Sequence, residues 1–143
     1  KYLNHMKAKS KNSRARVIFT GPVEGELKFE LMSNCRAFLA PSKDEGLPIA
    51  LLEAMSYGCV CVASDIPAHR EVIENETSGY LFRTDDKKHF SETIIRLLHQ
   101  PAEKYSKMKL CANRTVDERY SWDKAAERFE NIYIDLNANN EQK

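Results

Sequence analysis

Apolar residues gather in four short runs at nearly even spacing: Val17 to Thr20, Ala37 to Ala40, Cys59 to Ala63, and Tyr80 to Phe82. The runs are mostly continuous rather than alternating, the pattern of strands covered on both faces. A helical pattern follows each one. Leu27, Leu31 and Asn34 follow the first run, behind Glu24 and Glu26. Pro48, Leu51, Leu52 and Met55 follow the second, and Gly58 is a natural stop. A shorter helix is expected from Ala68 to Glu74. Phe90, Ile94, Leu97 and Leu98 make a fourth stripe, with Asp85 or Asp86 as its N-cap. Strand, helix, strand at this spacing predicts right-handed crossovers and a parallel sheet, so the fold class is α/β, Rossmann-like, with flanking helices.

Two more helices close the chain. Ala102 to about Arg114 is polar, with a thin apolar face of Tyr105, Met108 and Ala112. Ser121 then caps a stronger helix whose stripe is Trp122, Ala126, Phe129, Tyr133 and Leu136. That stripe either packs on the sheet or has a partner elsewhere. From Asn137 the chain is polar, so the domain is expected to span residues 1–136 and a frayed tail residues 137–143.

Composition narrows the function classes. A chain of 143 residues fits one domain with a respectable core. Its 22 Lys and Arg against 21 Asp and Glu leave a formal charge of +1, so no global field draws in nucleic acid or membrane. The first sixteen residues carry Lys1, Lys7, Lys9, Lys11, Arg14 and Arg16 without an acid, read as a solvated helix end and loop. No apolar run approaches a membrane span, and no signal peptide opens the chain. A start at Lys1 without an initiator Met is expected of a fragment, or of a chain trimmed of disordered residues. Cys35, Cys59, Cys61 and Cys111 form no C-x-x-C pair and read as inert core thiols in a reducing cytosol. Cys59 and Cys61 alternate with Val60 and Val62, which puts both thiols on one face of a strand.

Ligands of open parallel sheets bind outside the carboxyl ends of the strands. Here those ends read Thr20-Gly21-Pro22, Pro41 to Gly46, Ser64-Asp65-Ile66-Pro67 and Arg83-Thr84-Asp85, so small, polar and turn-forming residues collect along one edge. The longest stretch leads into Glu45. Glu53 follows on the next helix, with Gly46 permitting close approach and Pro48 suited to the first helical position. At about 100° per residue, Glu53 lies about 140° from Pro48, off the core-facing stripe. The free amides of the first helical turn favour an anion beside the loop. Carboxylates beside a phosphate would be repelled, so the two acids suit neutral sugar hydroxyls on either side of it.

At these residues the sequence resembles the C-terminal, nucleotide-sugar-binding half of GT-B glycosyltransferases of the retaining class called family 4 or group 1. The carrying motifs are VIFTGPV (Val17 to Val23), AFLAPSKDEGLPIALLEAMSYG (Ala37 to Gly58), VCVASDIPAHREVI (Val60 to Ile73) and SGYLF (Ser78 to Phe82), followed by YSWDKAAERF (Tyr120 to Phe129). The resemblance implies that Glu45 is the first acid of an E-x7-E motif, contacting the donor sugar near the reacting centre as the catalytic residue. It implies that Glu53 accepts hydrogen bonds from the ribose hydroxyls. Gly46, Leu47, Pro48 and Ile49 would border the sugar and diphosphate, although the family often has Gly where Pro48 stands. Thr20, Gly21, Pro22 and Val23 would border the base, and Glu71 would be structural.

The implied reaction transfers a sugar from a UDP- or GDP-linked donor (ADP in some members) to a glycan, lipid or other acceptor, with retention. No metal and no cofactor is expected. The donor is a substrate, the partner is the enzyme's N-terminal Rossmann half, and the location is cytoplasmic, with peripheral membrane association open for the parent. One departure matters. The family's diphosphate-clamping Arg and Lys come from upstream of Val17, and neither Arg14 nor Arg16, at the amino end of that run, can replace them. The isolated chain is therefore expected to show no turnover and at most weak nucleotide affinity. A nucleotide-sugar epimerase or hydrolase of the same fold, and a non-catalytic nucleotide-binding module, remain as alternatives. The absence of G-x-G-x-x-G after any strand argues against a dinucleotide oxidoreductase.

Overall fold

Three of the four apolar runs become strands of one parallel sheet. A computed structural model describes residues 2–140, with side chains through Asn137. The elements are α1 (Tyr2–Ser10), α2 (Gly25–Asn34), β1 (Phe38–Ala40), α3 (Ile49–Ser56), β2 (Cys61–Ser64), α4 (Pro67–Val72), β3 (Gly79–Phe82), α5 (Lys87–His99), α6 (Ala102–Arg119) and α7 (Trp122–Asn140). The sheet order is β1-β2-β3, and both pairings are parallel. Phe38 pairs with Cys61, and Cys61 in turn with Gly79.

Strand periodicity divides the core in two. Cys61 and Ala63 face one way, packing with Leu51, Met55, Ile73 and, from α6, Ala112 and Val116. Val60 and Val62 face the other way, with Tyr80, Phe82, Leu97 and Met108. Every residue of β2 is buried, as the continuous apolar run requires. Cys59 and Cys61 do share a face. Helix α6 serves both sides of the sheet: Asn113 Nδ2 donates to the Ser56 carbonyl at 2.8 Å, and Tyr105 Oη to that of Arg36 at 3.0 Å.

Local signals place the helix ends. Asp86 caps α5, accepting the His89 amide at 2.9 Å. Gly58 at φ +69° turns the chain out of α3, where a left-handed residue costs a glycine little. Ser121 Oγ accepts from the Lys124 amide at 3.3 Å at the start of α7.

The structure corrects the sequence reading in several places. Val17 to Thr20 is not a strand: it runs as coil, with Ile18 65% exposed. A continuous apolar run needs cover on both faces and a neighbour for its backbone groups, and the described residues supply neither. Pro48 is the N-cap of α3 rather than its first residue; its carbonyl accepts from both Leu51 and Leu52 at 3.0 Å. Helix α4 ends at Val72, short of Glu74, while α6 runs on to Arg119, because Val116 still has core to bury. Helix α7 spans Trp122–Asn140, and residues 141–143 of the expected tail lie outside the described residues, as does Lys1. Its stripe does not pack on the sheet, for Trp122 is 91% exposed and Tyr133 67%. Leu98 of α5 is likewise exposed, whereas Leu97 is fully buried. Helix α1 is solvated throughout, as its basic run suggested.

Candidate functional site

The carboxyl ends of β1, β2 and β3 lie along one edge because all three strands run the same way. Side chains tie their loops together. Ser64 Oγ, at the end of β2, donates to the Ser42 carbonyl after β1. Across the same edge Lys43 meets Asp85, after β3, at 2.8 Å. Asp65 is bound by Arg70, whose hydrogen bond holds its carboxyl below the usual range.

Two clefts open on either side of the start of α3. The smaller, about 230 Å³, is lined by Ser42, Glu45, Pro48, Ile49 and His69 among others. In it Ser42 Oγ donates to Glu45 Oε1 at 2.7 Å, which fixes one carboxylate oxygen and leaves the other open to a ligand. The larger cleft, about 440 Å³, lies between α2 and α3 and is mostly apolar. Its polar groups are Lys28 and Glu53, joined at 2.7 Å, and the hydrogen bond to Glu53 raises the Lys28 ammonium above its ordinary value. Phe38, Leu39 and Ala50 line both clefts, so the two adjoin. Glu53 leaves the core stripe as the helix geometry requires, while Leu51, Leu52, Ala54 and Met55 are buried.

The remaining expected residues fall as follows. Gly46, Leu47 and Ile49 are exposed around the helix start, and a Cβ at Gly46 would meet nothing within 4 Å. The close approach assigned to Gly46 is therefore not to the chain's own backbone; the space is open. Val23 lines the larger cleft, but Gly21 faces a separate recess against α1 with Leu3, Lys7 and Phe19. Pro22 and Thr20 are exposed in the same coil. The structure thus brings Val23 to Glu53 and leaves Gly21 away from it, because the strand that would have aimed that loop does not form. Glu71 offers its carbonyl to Tyr120 Oη at 3.1 Å, an anchor for the end of α6.

His69 is the residue that sequence reasoning passed over. It is fully buried and lines the Glu45 cleft. Its Nδ1 lies 2.8 Å from the Ser64 carbonyl, which can only accept, so Nδ1 carries the proton. Among the described residues Nε2 has no partner, an uncommon state for a buried polar atom. The available signal was its position just beyond the carboxyl end of the third apolar run.

Known proteins resemble this chain in sequence and fold. The family model described as glycosyl transferases group 1 matches residues 3–115. The chain is 30% identical over 102 residues to the UDP-Gal:alpha-D-GlcNAc-diphosphoundecaprenol alpha-1,3-galactosyltransferase of Escherichia coli, covering 71% of this chain and 26% of that protein. It is 33% identical over 105 residues to the N,N'-diacetylbacillosaminyl-diphospho-undecaprenol alpha-1,3-N-acetylgalactosaminyltransferase of Campylobacter jejuni, covering 73% and 27%. Sucrose-phosphate synthase from Thermosynechococcus elongatus superposes with a TM-score of 0.83 at 23% identity over 94% of this chain and 34% of that one, which shows a shared fold. The chain spans about a quarter to a third of the length of these proteins.

Proposed function

Because this chain belongs to the glycosyl transferases group 1 family, we propose that it is the donor-binding part of a retaining glycosyltransferase that uses a UDP- or GDP-sugar. The observation that carries this reading is the pair of carboxylates in adjoining clefts, parted by the start of α3. In it, Glu53 exchanges Lys28 for the ribose hydroxyls, and the apolar wall of the larger cleft takes the rest of the nucleoside. The diphosphate lies across the open space at Gly46 and the first turn of α3, bordered by the exposed Leu47 and Ile49 and by the buried Pro48. Glu45, steadied by Ser42, faces the donor sugar. Gly21 and Pro22 border the base only if their loop is re-aimed in the whole enzyme.

The transition state of such a transfer resembles an oxocarbenium ion, with charge growing on the departing diphosphate. Amides aimed at that charge lower the barrier only if they hold it better than they hold the ground state. Glu45 on the sugar side contributes negative potential where positive charge develops. No metal and no cofactor enters the reading. The acceptor is proposed to be lipid-linked, as the names of the two relatives describe for them. The site works at a cytoplasmic membrane face, and turnover needs the rest of the transferase, including the acceptor-binding half and a basic clamp on the diphosphate. Among the described residues no helix is long and apolar enough to cross a membrane.

Titration of UDP- and GDP-sugars into the complete transferase tests the reading. Glu53→Gln removes charge-assisted hydrogen bonds of about 1.5–3 kcal/mol, so nucleotide affinity should fall roughly ten- to a hundredfold. Equal affinity in the variant removes Glu53 from the ribose site. Glu45→Gln should lower kcat far more than it weakens nucleoside diphosphate binding, and an unchanged rate excludes it from the reaction.

A further inference from the structure

Cys35 and Cys59 stand 24 positions apart in the chain, yet their sulfurs are 2.9 Å apart. A disulfide needs about 2.05 Å, so bond formation asks for an approach of roughly 0.9 Å. Two separate pieces of backbone hold the pair in place. Cys35 caps the C-terminus of α2, its amide bonded to the Leu31 carbonyl at 3.0 Å. Cys59 leads into β2, its amide bonded to the Ala54 carbonyl at 2.9 Å, and the next residue, Val60, accepts from Phe38 at 3.0 Å. The other thiols are placed differently. Cys61 Sγ points at the Cys59 carbonyl, 3.7 Å away, and Cys111 sits half-buried on α6.

We propose that Cys35 and Cys59 form a reversible disulfide that staples α2 to the sheet, with a small-molecule disulfide as the oxidant. The two thiols have unequal roles. Cys35 is half-buried and lines the larger cleft, so the oxidant reaches it. Cys59 is sealed, and burial, reinforced by its contact with Cys35, pushes its thiol up to about 12. Cys35 therefore reacts first. Its thiolate attacks one sulfur of glutathione disulfide, forming a mixed disulfide and releasing one glutathione thiolate, which takes up the proton that Cys35 gave up. The Cys59 sulfur then attacks the Cys35 sulfur, loses its proton, and expels the second glutathione, which leaves as the thiol. Two protein thiols are oxidised and one glutathione disulfide is reduced to two thiols.

The consequence lies in what the bridge encloses. The closed loop contains β1, Glu45, α3 and Glu53. Helix α2, which carries Lys28 opposite Glu53, has no buried residue of its own, so the staple changes its attachment considerably.

The experiment treats the purified chain with glutathione disulfide, quenches it with an alkylating agent, and maps thiols by non-reducing peptide mass spectrometry with fragmentation, since Cys59 and Cys61 share a tryptic peptide. Free thiols should fall from four to two, with a Cys35–Cys59 cross-link and with Cys61 and Cys111 alkylated. The urea midpoint should rise on oxidation and return with dithiothreitol. Cys35→Ser should keep its three thiols and lose the shift, whereas Cys111→Ser should still form the bridge. In urea the same treatment should give mixed pairings. Four surviving thiols, a glutathione adduct left standing on Cys35, or a cross-link through Cys61 or Cys111 in the native chain would each overturn the proposal. The wild-type map decides the matter even if Cys35→Ser fails to fold.

Discussion

Gly79→Ala should destabilise the sheet at its centre. A Cβ built at Gly79 lies 2.9 Å from the Cys61 carbonyl oxygen, 3.2 Å from Ile73 Cγ2 and 3.4 Å from Ile73 Cδ1. Neither neighbour yields easily. Cys61 pairs with Gly79 in the ladder and with Phe38 on its other side, so moving its carbonyl disturbs two strand pairs. Ile73 is 2% exposed, in a core without slack. Overpacking of this kind costs about 1–3 kcal/mol. Loss of unfolded-state freedom from Gly to Ala returns about 0.4–1 kcal/mol. The net loss is then about 0–2.6 kcal/mol, centred on about 1.3 kcal/mol, or a fall of roughly 0.7 M in the urea midpoint for a slope of about 2 kcal/mol/M. Gly46→Ala is the control, because its Cβ meets nothing within 4 Å. Its stability should hold or rise by up to about 1 kcal/mol, the gain from reduced unfolded-state freedom alone. Urea unfolding followed by far-UV circular dichroism measures both. Equal midpoints for the two variants would refute the close approach of β3 to β2.

Three further outcomes are expected. Tyr80→Phe removes the hydroxyl that donates to Gln100 Oε1 at 2.6 Å, beside a Gln100 Nε2 already without a partner, and should cost about 1–3 kcal/mol in the same assay. Asp65 is held low by its hydrogen bond from Arg70, and Asp86 by the His89 amide and then Arg83. With folded values below unfolded ones, both contribute stability above about pH 4 that is lost as pH falls through the folded values, so Asp65→Asn with Asp86→Asn should flatten the acid limb of a midpoint-versus-pH curve. Trp122→Ser should change stability by less than about 0.5 kcal/mol, because the ring is 91% exposed; a larger loss would mean that α7 is packed after all.

Much of this was legible along the chain. The period of Cys61, Val62, Ala63 and the helical stripes behind each run define the sheet and its two flanking layers. Asp86 and Gly58 end their helices by local chemistry that a sequence shows directly. Glu53 could be placed off the core by helix angle alone, because Leu51, Leu52 and Met55 set the buried face, while Glu45 follows from its place in the longest strand-end loop. The failures share one cause. Val17 to Thr20 has the composition of a strand, and Trp122 to Leu136 has the stripe of a packed helix, but composition states only that cover is wanted. Whether cover is present depends on neighbours distant in the chain.

The sequence by itself determined the α/β class, the edge where strand ends gather, and the acids beside α3, since these follow from periodicity and from residues within one loop of each other. Only the tertiary structure decided that Lys28 meets Glu53, that His69 is buried with a nitrogen bare among the described residues, and that two cysteines read as inert lie sulfur to sulfur. Lys28 meets Glu53 across 25 positions of chain and Cys35 meets Cys59 across 24, separations that no local pattern encodes.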